Sequence, residues 1–163
     1  MGGAIISNTG PLVALAVIDR LDVLNLLFDE VIVPEAVHGE LLAGGMNHAG
    51  TAAYQQAQWI KVSKLANALD PLLASVLDKG EASVIQLARE SGIAHVLIDE
   101  RKGRQIAREV YQLQVVGSAR ILVEAKRRGH LANVEEALAD MRRHGYYLHE
   151  KIVAAILREA GER

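Results

Sequence analysis

Oxygen-bearing side chains occupy four conspicuous places in this chain: Asn8, Glu40, Glu81 and the adjacent pair Asp99-Glu100. Asn8 follows the short apolar run Ala4–Ser7, and Asp99-Glu100 follows the run His95–Ile98. In an open parallel sheet, ligands bind just beyond the carboxyl ends of such strands. The two glutamates stand out by helical phase. With about 100° per residue and Ala36 at the origin, Glu40 falls inside the arc made by Ala36, Val37, Leu41 and Ala43. By the same construction Glu81 is flanked on both sides by Ala82, Val84, Ile85, Leu87 and Ala88. A carboxylate on a core-facing stripe is costly unless it is paired, protonated or bound to metal. Oxygens converging without histidine or cysteine suit a hard cation such as Mg²⁺ or Mn²⁺, which can polarise a phosphodiester and activate a water.

Each of these residues also has a plainer explanation. Glu81 follows Gly80 and can be a first-turn acid favoured by the helix dipole. Asp99 or Glu100 can be the N-cap or first-turn acid of the next helix. Asn8 can form a turn before Pro11. Glu40, in mid-helix, has no capping role, although a lysine or arginine could pair with it. Their joint placement at strand ends and on inward helix faces favours a shared site.

Basic residues begin directly beside the acids. Arg101, Arg104 and Arg108 lie opposite Ile106, Ala107 and Val110, and Lys102 adds a further positive charge next to Arg101. They form either a rim that holds nucleic-acid phosphates or a solvated helix face. Lys126, Arg127, Arg128, Arg142 and Arg143 read as solvated helix ends, some of which could face an acidic partner. The histidines at 38, 48, 95, 130, 144 and 149 show no metal-type spacing and read as surface or loop residues, with His95 at a strand edge. Tyr146 and Tyr147 are too isolated to argue base stacking. No serine-nucleophile motif, G-x-G-x-x-G or P-loop is present, which argues against dinucleotide or ATP use.

The elements that must position these groups alternate in type. Strands are expected at Ala4–Ser7, Val31–Val33, Ile60–Ser63, His95–Ile98 and Val115–Val116. Helical stripes lie between them: Leu21, Leu24, Leu27 and Phe28; Leu72, Leu73, Val76 and Leu77; Ala82, Ile85 and Ala88; Ile106, Ala107 and Val110. Pro34 and Pro71 mark helix starts, and Gly92 and Gly129 mark helix ends. After the last strand the chain turns helical, with stripes at Val134, Ala137, Leu138 and Met141 and at Ile152, Val153, Ile156 and Leu157. The pattern implies an α/β domain with a mainly parallel sheet and extra C-terminal helices.

With 163 residues and no long linker or repeat, one domain over residues 1–163 is expected. Half of the residues are hydrophobic but only 4% are aromatic, so the core must be aliphatic. The absence of cysteine excludes disulfides, thiolate nucleophiles and cysteine-based zinc sites, and it fits a reducing compartment. The start carries no basic n-region, and the apolar stretch from Ala4 to Ile18 is broken by Ser7, Asn8, Gly10 and Pro11. It is also shorter than the roughly 20 apolar residues of a membrane helix. A soluble, cytoplasmic protein that does not engage membranes is expected. The net charge of −2 is unevenly spread, with the acidic excess in the first half and the basic excess between Arg101 and Arg143.

Four segments in order carry a resemblance: Ile5-Ile6-Ser7-Asn8-Thr9-Gly10-Pro11-Leu12, Val33-Pro34-Glu35-Ala36-Val37-His38-Gly39-Glu40-Leu41-Leu42, Gly80-Glu81-Ala82-Ser83-Val84-Ile85, and Leu97-Ile98-Asp99-Glu100-Arg101-Lys102-Gly103-Arg104. Together they resemble the PIN-domain superfamily, and more closely its VapC-like toxin relatives. The resemblance implies a three-layer α/β/α domain that cuts single-stranded RNA with Mg²⁺ or Mn²⁺. It also implies pairing with a small antitoxin protein and a homodimer. By resemblance Asn8 stands where the first metal-binding aspartate is usual, Glu40 matches the second acid, Glu81 the third, and Asp99 or Glu100 the fourth. Asn8 for aspartate removes one negative charge and is expected to weaken divalent binding; Gly10 also replaces a small hydroxyl residue. The competing expectation is a module of the same fold that binds RNA or protein without cutting. A receiver-like signalling domain fits less well, because two of the acids lie on helices and no lysine follows Val116.

Overall fold

The short apolar runs of the inner strands form because both of their faces are covered. Ile5, Ile6, Val33, Val96 and Leu97 are wholly buried, so these strands read as continuous β-branched and aliphatic runs rather than as alternating ones. A computed structural model describes residues 1–44 and 48–163, the side chains of His48 and Ala49 excepted. In chain order the elements are β1 (Ala4–Ser7), α1 (Thr9–Val17), α2 (Asp22–Leu27), β2 (Glu30–Pro34), α3 (Glu35–Ala43), α4 (His48–Gln56), β3 (Ile60–Ser63) and α5 (Pro71–Val76). They continue with α6 (Lys79–Ser91), β4 (His95–Leu97), α7 (Arg101–Glu109), β5 (Gln114–Val116), α8 (Ser118–Arg127), α9 (Val134–Arg143) and α10 (Glu150–Glu159).

The five strands form one parallel sheet in the order β3-β2-β1-β4-β5. Ile5 of β1 pairs with Val31 of β2 on one side and His95 of β4 on the other. The strand order therefore reverses at β1. Connections from β1 to β2 and β3 run outward one way, whereas β4 and β5 add on the other flank. The crevice at the carboxyl ends of β1 and β4 is the topological switch point, where open α/β sheets bind ligands. Helix α6 packs across β1, β2 and β4 and against α5 and α7. Helices α1, α2, α8, α9 and α10 form a second packed group, in which α2 reaches β2. The α/β fold expected from the sequence is the one observed.

Several local expectations are corrected. Gly10 and Pro11 do not interrupt the chain as a turn; they lie in the first turn of α1, where a missing backbone N–H leaves no intrahelical bond unmade. Pro34 is the N-cap of α3 rather than its first-turn residue. In α5 only Leu73 of the expected stripe within the helix is buried, and Leu72 is 66% exposed, because this short helix rests mainly against α6. Val110 and Ile152 are also exposed, Val110 as the C-cap just beyond α7. His38 is a half-buried residue of α3 whose Nδ1 lies 2.6 Å from the Tyr54 hydroxyl of α4. His95 opens the inner strand β4, between β1 and β5, instead of lying on an edge strand. The side chain of His48 falls outside the described part. Among the described residues no helix is long and apolar enough to cross a membrane.

Candidate active site

At the switch point an open cleft of about 560 Å³ is lined by Asn8, Thr9, Glu40, Asp78, Glu81, Asp99, Glu100, Arg101, Tyr146 and Tyr147, among others. All five oxygen-bearing residues singled out in the sequence thus share one cavity. The carboxyl ends of β1 and β4 deliver Asn8 and Asp99-Glu100 side by side, since the Asn8 amide donates to the Leu97 carbonyl at 3.0 Å.

Asn8 is the N-cap of α1, a position where asparagine normally accepts a hydrogen bond from the helix. Its side chain makes no such bond. Glu100 is the N-cap of α7 and also leaves its side chain out of capping. Both side chains line the cleft instead, where Glu100 meets Glu81. Glu40 sits late in α3 and is exposed, which corrects the expectation of a core-facing position. Its helical phase is the inward one, but α3 follows β2 at the carboxyl end of the sheet, so that inward direction opens onto the cleft. The Thr9 hydroxyl donates to Glu40 Oε2 at 2.9 Å. A Cβ added at Gly80 would stand 2.5 Å from Glu40 Oε1 and 3.2 Å from Asn8 Oδ1. A bare glycine at that point in the first turn of α6 lets Glu40 and Asn8 approach.

Glu81 lies on the floor of the cleft with 4% of its surface exposed. The local sequence Asp78-Lys79-Gly80-Glu81 has the form of a capping box, and Asp78 does accept the Glu81 amide at 2.8 Å. The Glu81 side chain, however, turns toward α7, where a Cβ on Gly103 would stand 3.0 Å from its Oε2. Burial, and then the carboxylates of Asp78 and Glu100, push its pKa from 4.5 up to about 8. Near neutral pH the site therefore holds a proton on a carboxyl group that has carboxylates for neighbours.

Asp99 is differently employed. Its Oδ1 accepts the Ser118 amide at 2.7 Å, and its Oδ2 accepts the Ser118 hydroxyl at 2.7 Å and the Tyr146 hydroxyl. Gly117, the N-cap of α8, has no side chain to cap the helix, and Asp99 caps it from the next strand. Burial and the Asp99 charge hold the Tyr146 phenol far above its usual range. Of the two acids left open by the sequence, Asp99 is taken up by Ser118 and Tyr146, whereas Glu100 hydrogen-bonds the side chain of Glu81.

The basic rim is only partly as expected. Arg101 lines the cleft, and Lys102 and Arg108 are exposed on α7. Arg104 instead folds inward: its Nη1 donates to the Ile98 carbonyl at 2.8 Å, and a Cβ on Gly117 would meet that nitrogen at 2.8 Å. Burial, followed by the Arg108 charge, lowers its pKa. Asp78, Ser118, Tyr146 and Thr9 were not singled out as site residues. For Asp78 the capping-box pattern was a usable signal; Ser118 and Tyr146 are joined to Asp99 only through the fold.

Among the described residues no three histidine, aspartate or glutamate side chains form a ready-made metal cluster. The donor set still fits a hard divalent cation: oxygen donors on Asn8, Glu40, Glu81 and Glu100, no sulfur or imidazole, and an unbalanced acidic charge around Glu81.

A five-stranded parallel sheet with acids gathered at its switch point defines an open α/β domain with an acidic ligand cleft. A family model described as PIN domain matches residues 4–162, and the chain belongs to that family. PIN domains are nucleases as a class and generally depend on divalent metal. No curated protein and no solved structure matches the chain.

Proposed function

We propose that this protein is a metal-dependent endoribonuclease that cuts single-stranded RNA, acting as the toxin of a toxin–antitoxin pair in the cytoplasm, through one domain over residues 1–163. The observation that carries the reading is the convergence of Asn8, Glu40, Glu81 and Glu100 from four different elements on one cleft at the switch point.

Glu40, Glu81 and Glu100, with the neutral Asn8 amide oxygen, would hold Mg²⁺ or Mn²⁺. When bound, the cation would supply a polarised phosphodiester oxygen and a water acidic enough to attack at neutral pH. The chain's own residues do the remaining work. Thr9 fixes the carboxylate of Glu40. Asp99 holds α8 and Tyr146 in place around the cleft. Glu81, protonated near neutral pH, would have to lose that proton to solvent to serve as a ligand. Arg101, with Lys102 and Arg108, offers positive charge beside the acids to phosphates of the incoming strand. A small antitoxin and a second copy of the chain complete the proposal from the family resemblance.

A second reading has one specific observation behind it. Asn8 is neutral and Asp99 already accepts three hydrogen bonds, so of the acids singled out in the sequence only Glu40, Glu81 and Glu100 remain for a cation. On that reading the cleft binds RNA or a protein partner without cutting.

One experiment separates the two. Purified protein is incubated with end-labelled single-stranded RNA and Mn²⁺ beside the Glu40→Gln variant. Cleavage by the parent that disappears in the variant supports the ribonuclease. Equal traces in both samples refute it.

A further inference from the structure

The chain contains six aromatic residues, and one of them, Tyr147, stands 63% exposed on the wall of the acidic cleft. The other aromatic rings are more covered: Phe28 and Tyr54 are buried, Trp59 and Tyr111 are half-buried, and Tyr146 has its hydroxyl bonded to Asp99. A phenol ring offers a flat apolar face with a polar tip, suited to a site that is partly wet and partly covered by a ligand.

Three features make Tyr147 more than a stray surface residue. It directly follows Tyr146, which is anchored to Asp99 and packs against the core. The backbone that carries Tyr147 is thereby fixed relative to the ends of β4 and α8. The Arg142 guanidinium lies over the Tyr147 ring, 5.8 Å from its centroid. That contact occupies one face and leaves a planar, electron-rich second face for another flat group. Finally, the cleft that the ring borders is acidic at its floor, with Arg101 on its lining. A polyanion entering it needs attraction from the rim, and Arg142 and Arg101 supply positive charge there.

We infer that Tyr147, backed by Arg142, is a stacking platform for one unpaired nucleobase of the strand that enters the cleft. The inference rests on the proposed action on single-stranded RNA and adds to it a subsite outside the acids. Every base has a π-face, so the platform selects for an unstacked base rather than for a sequence. A duplex keeps its bases stacked on each other and gains nothing from the ring. Stacking on a pre-fixed ring loses little conformational entropy, and a base on an aromatic side chain is generally worth enough to change affinity by about 5- to 150-fold.

The test is a titration of a 2-aminopurine-containing single-stranded RNA with the parent, Tyr147→Ala, Tyr147→Trp and Arg142→Ala, each with Mn²⁺ in a Glu40→Gln background that prevents cutting. Tyr147 is exposed, so these variants should fold, and circular dichroism checks that they do. The expected result is fluorescence quenching by the parent, a Kd raised about 5- to 150-fold in Tyr147→Ala with loss of quenching, recovery in Tyr147→Trp, and a smaller loss in Arg142→Ala. An RNA hairpin duplex should show no dependence on residue 147. The inference is overturned if Tyr147→Ala binds and quenches like the parent, if duplex loses affinity equally, or if the parent binds no single strand. Residue-147-dependent binding by a wild-type protein that never cuts RNA would refute the ribonuclease reading and leave the platform standing. Cleavage by the wild type with unchanged binding in Tyr147→Ala would do the reverse.

Discussion

Replacing Glu81 with glutamine should make the protein more stable in alkali, which is the opposite of what deleting a buried hydrogen-bonding group normally does. Glu81 is 4% exposed, and burial with the charges of Asp78 and Glu100 raises its pKa from 4.5 to about 8. Between those two values the folded protein binds a proton that the unfolded chain has released. Stability contributed by the protonated form is therefore complete below about pH 4.5 and falls as pH rises, until the folded-state carboxyl itself ionises near pH 8. At about 1.4 kcal/mol per pH unit, the full shift sets a ceiling of about 5 kcal/mol on that loss. Glutamine keeps the shape and cannot ionise, so the variant lacks this slope. The assay is urea denaturation in EDTA at pH 5 and pH 9, parent beside Glu81→Gln, with Glu100→Gln as a milder case. The stability difference should move toward the variant by several kcal/mol between the two pH values. Parallel pH profiles for parent and variant would refute the reasoning, because they would mean that Glu81 ionises in the folded protein as easily as in water.

Three further perturbations follow from the same geometry. Asn8→Asp restores a negative charge to the cleft beside Glu40 and Gly80, and calorimetry should show tighter Mn²⁺ binding than in the parent; no gain would mean that Asn8 does not face the cation. Gly80→Ala places a Cβ 2.5 Å from the end of the flexible Glu40 side chain, so Glu40 must swing away. Thermal stability should change little while Mn²⁺ affinity falls, and retained affinity would count against a shared Glu40–Asn8 site. Asp99→Ala removes the acceptor for the Ser118 amide, the Ser118 hydroxyl and the Tyr146 hydroxyl. It should destabilise the fold by about 2–4 kcal/mol, as expected for lost charge-assisted bonds that leave buried donors unpaired. An unchanged denaturation midpoint would show that Asp99 is not the clamp described.

How far the sequence revealed this molecule depended on the range of the forces at each position. The inner strands β1 and β4 were legible because burial on both faces demands unbroken apolar runs, and Ile5, Ile6, Val96 and Leu97 meet that demand locally, whereas the edge strands β3 and β5 showed only short β-type runs. Helix α1 was not, since Gly10 and Pro11 look like a turn until it is seen that they fall in a first turn, where neither is penalised heavily. Helix α4 has little apolar periodicity and is held by packing on α1 and α3. Glu40 was found by helical phase, but phase gives a direction and not what lies in that direction; only the sheet order shows that it looks into a cleft. Asp99 and Glu100 could not be told apart from their neighbours in sequence. Their roles are separated by Ser118 and Tyr146, 19 and 47 residues away from Asp99 in the chain.

The central question is whether a cation held by these acids cuts RNA. The decisive measurement is the rate of cleavage of one end-labelled single-stranded RNA by the parent and by Glu81→Gln, with Mn²⁺ and with EDTA in its place. The account predicts cleavage by the parent only with Mn²⁺, and loss of that cleavage in a Glu81→Gln protein whose fold is intact. Cleavage that survives EDTA, or that Glu81→Gln performs as fast as the parent, would contradict it.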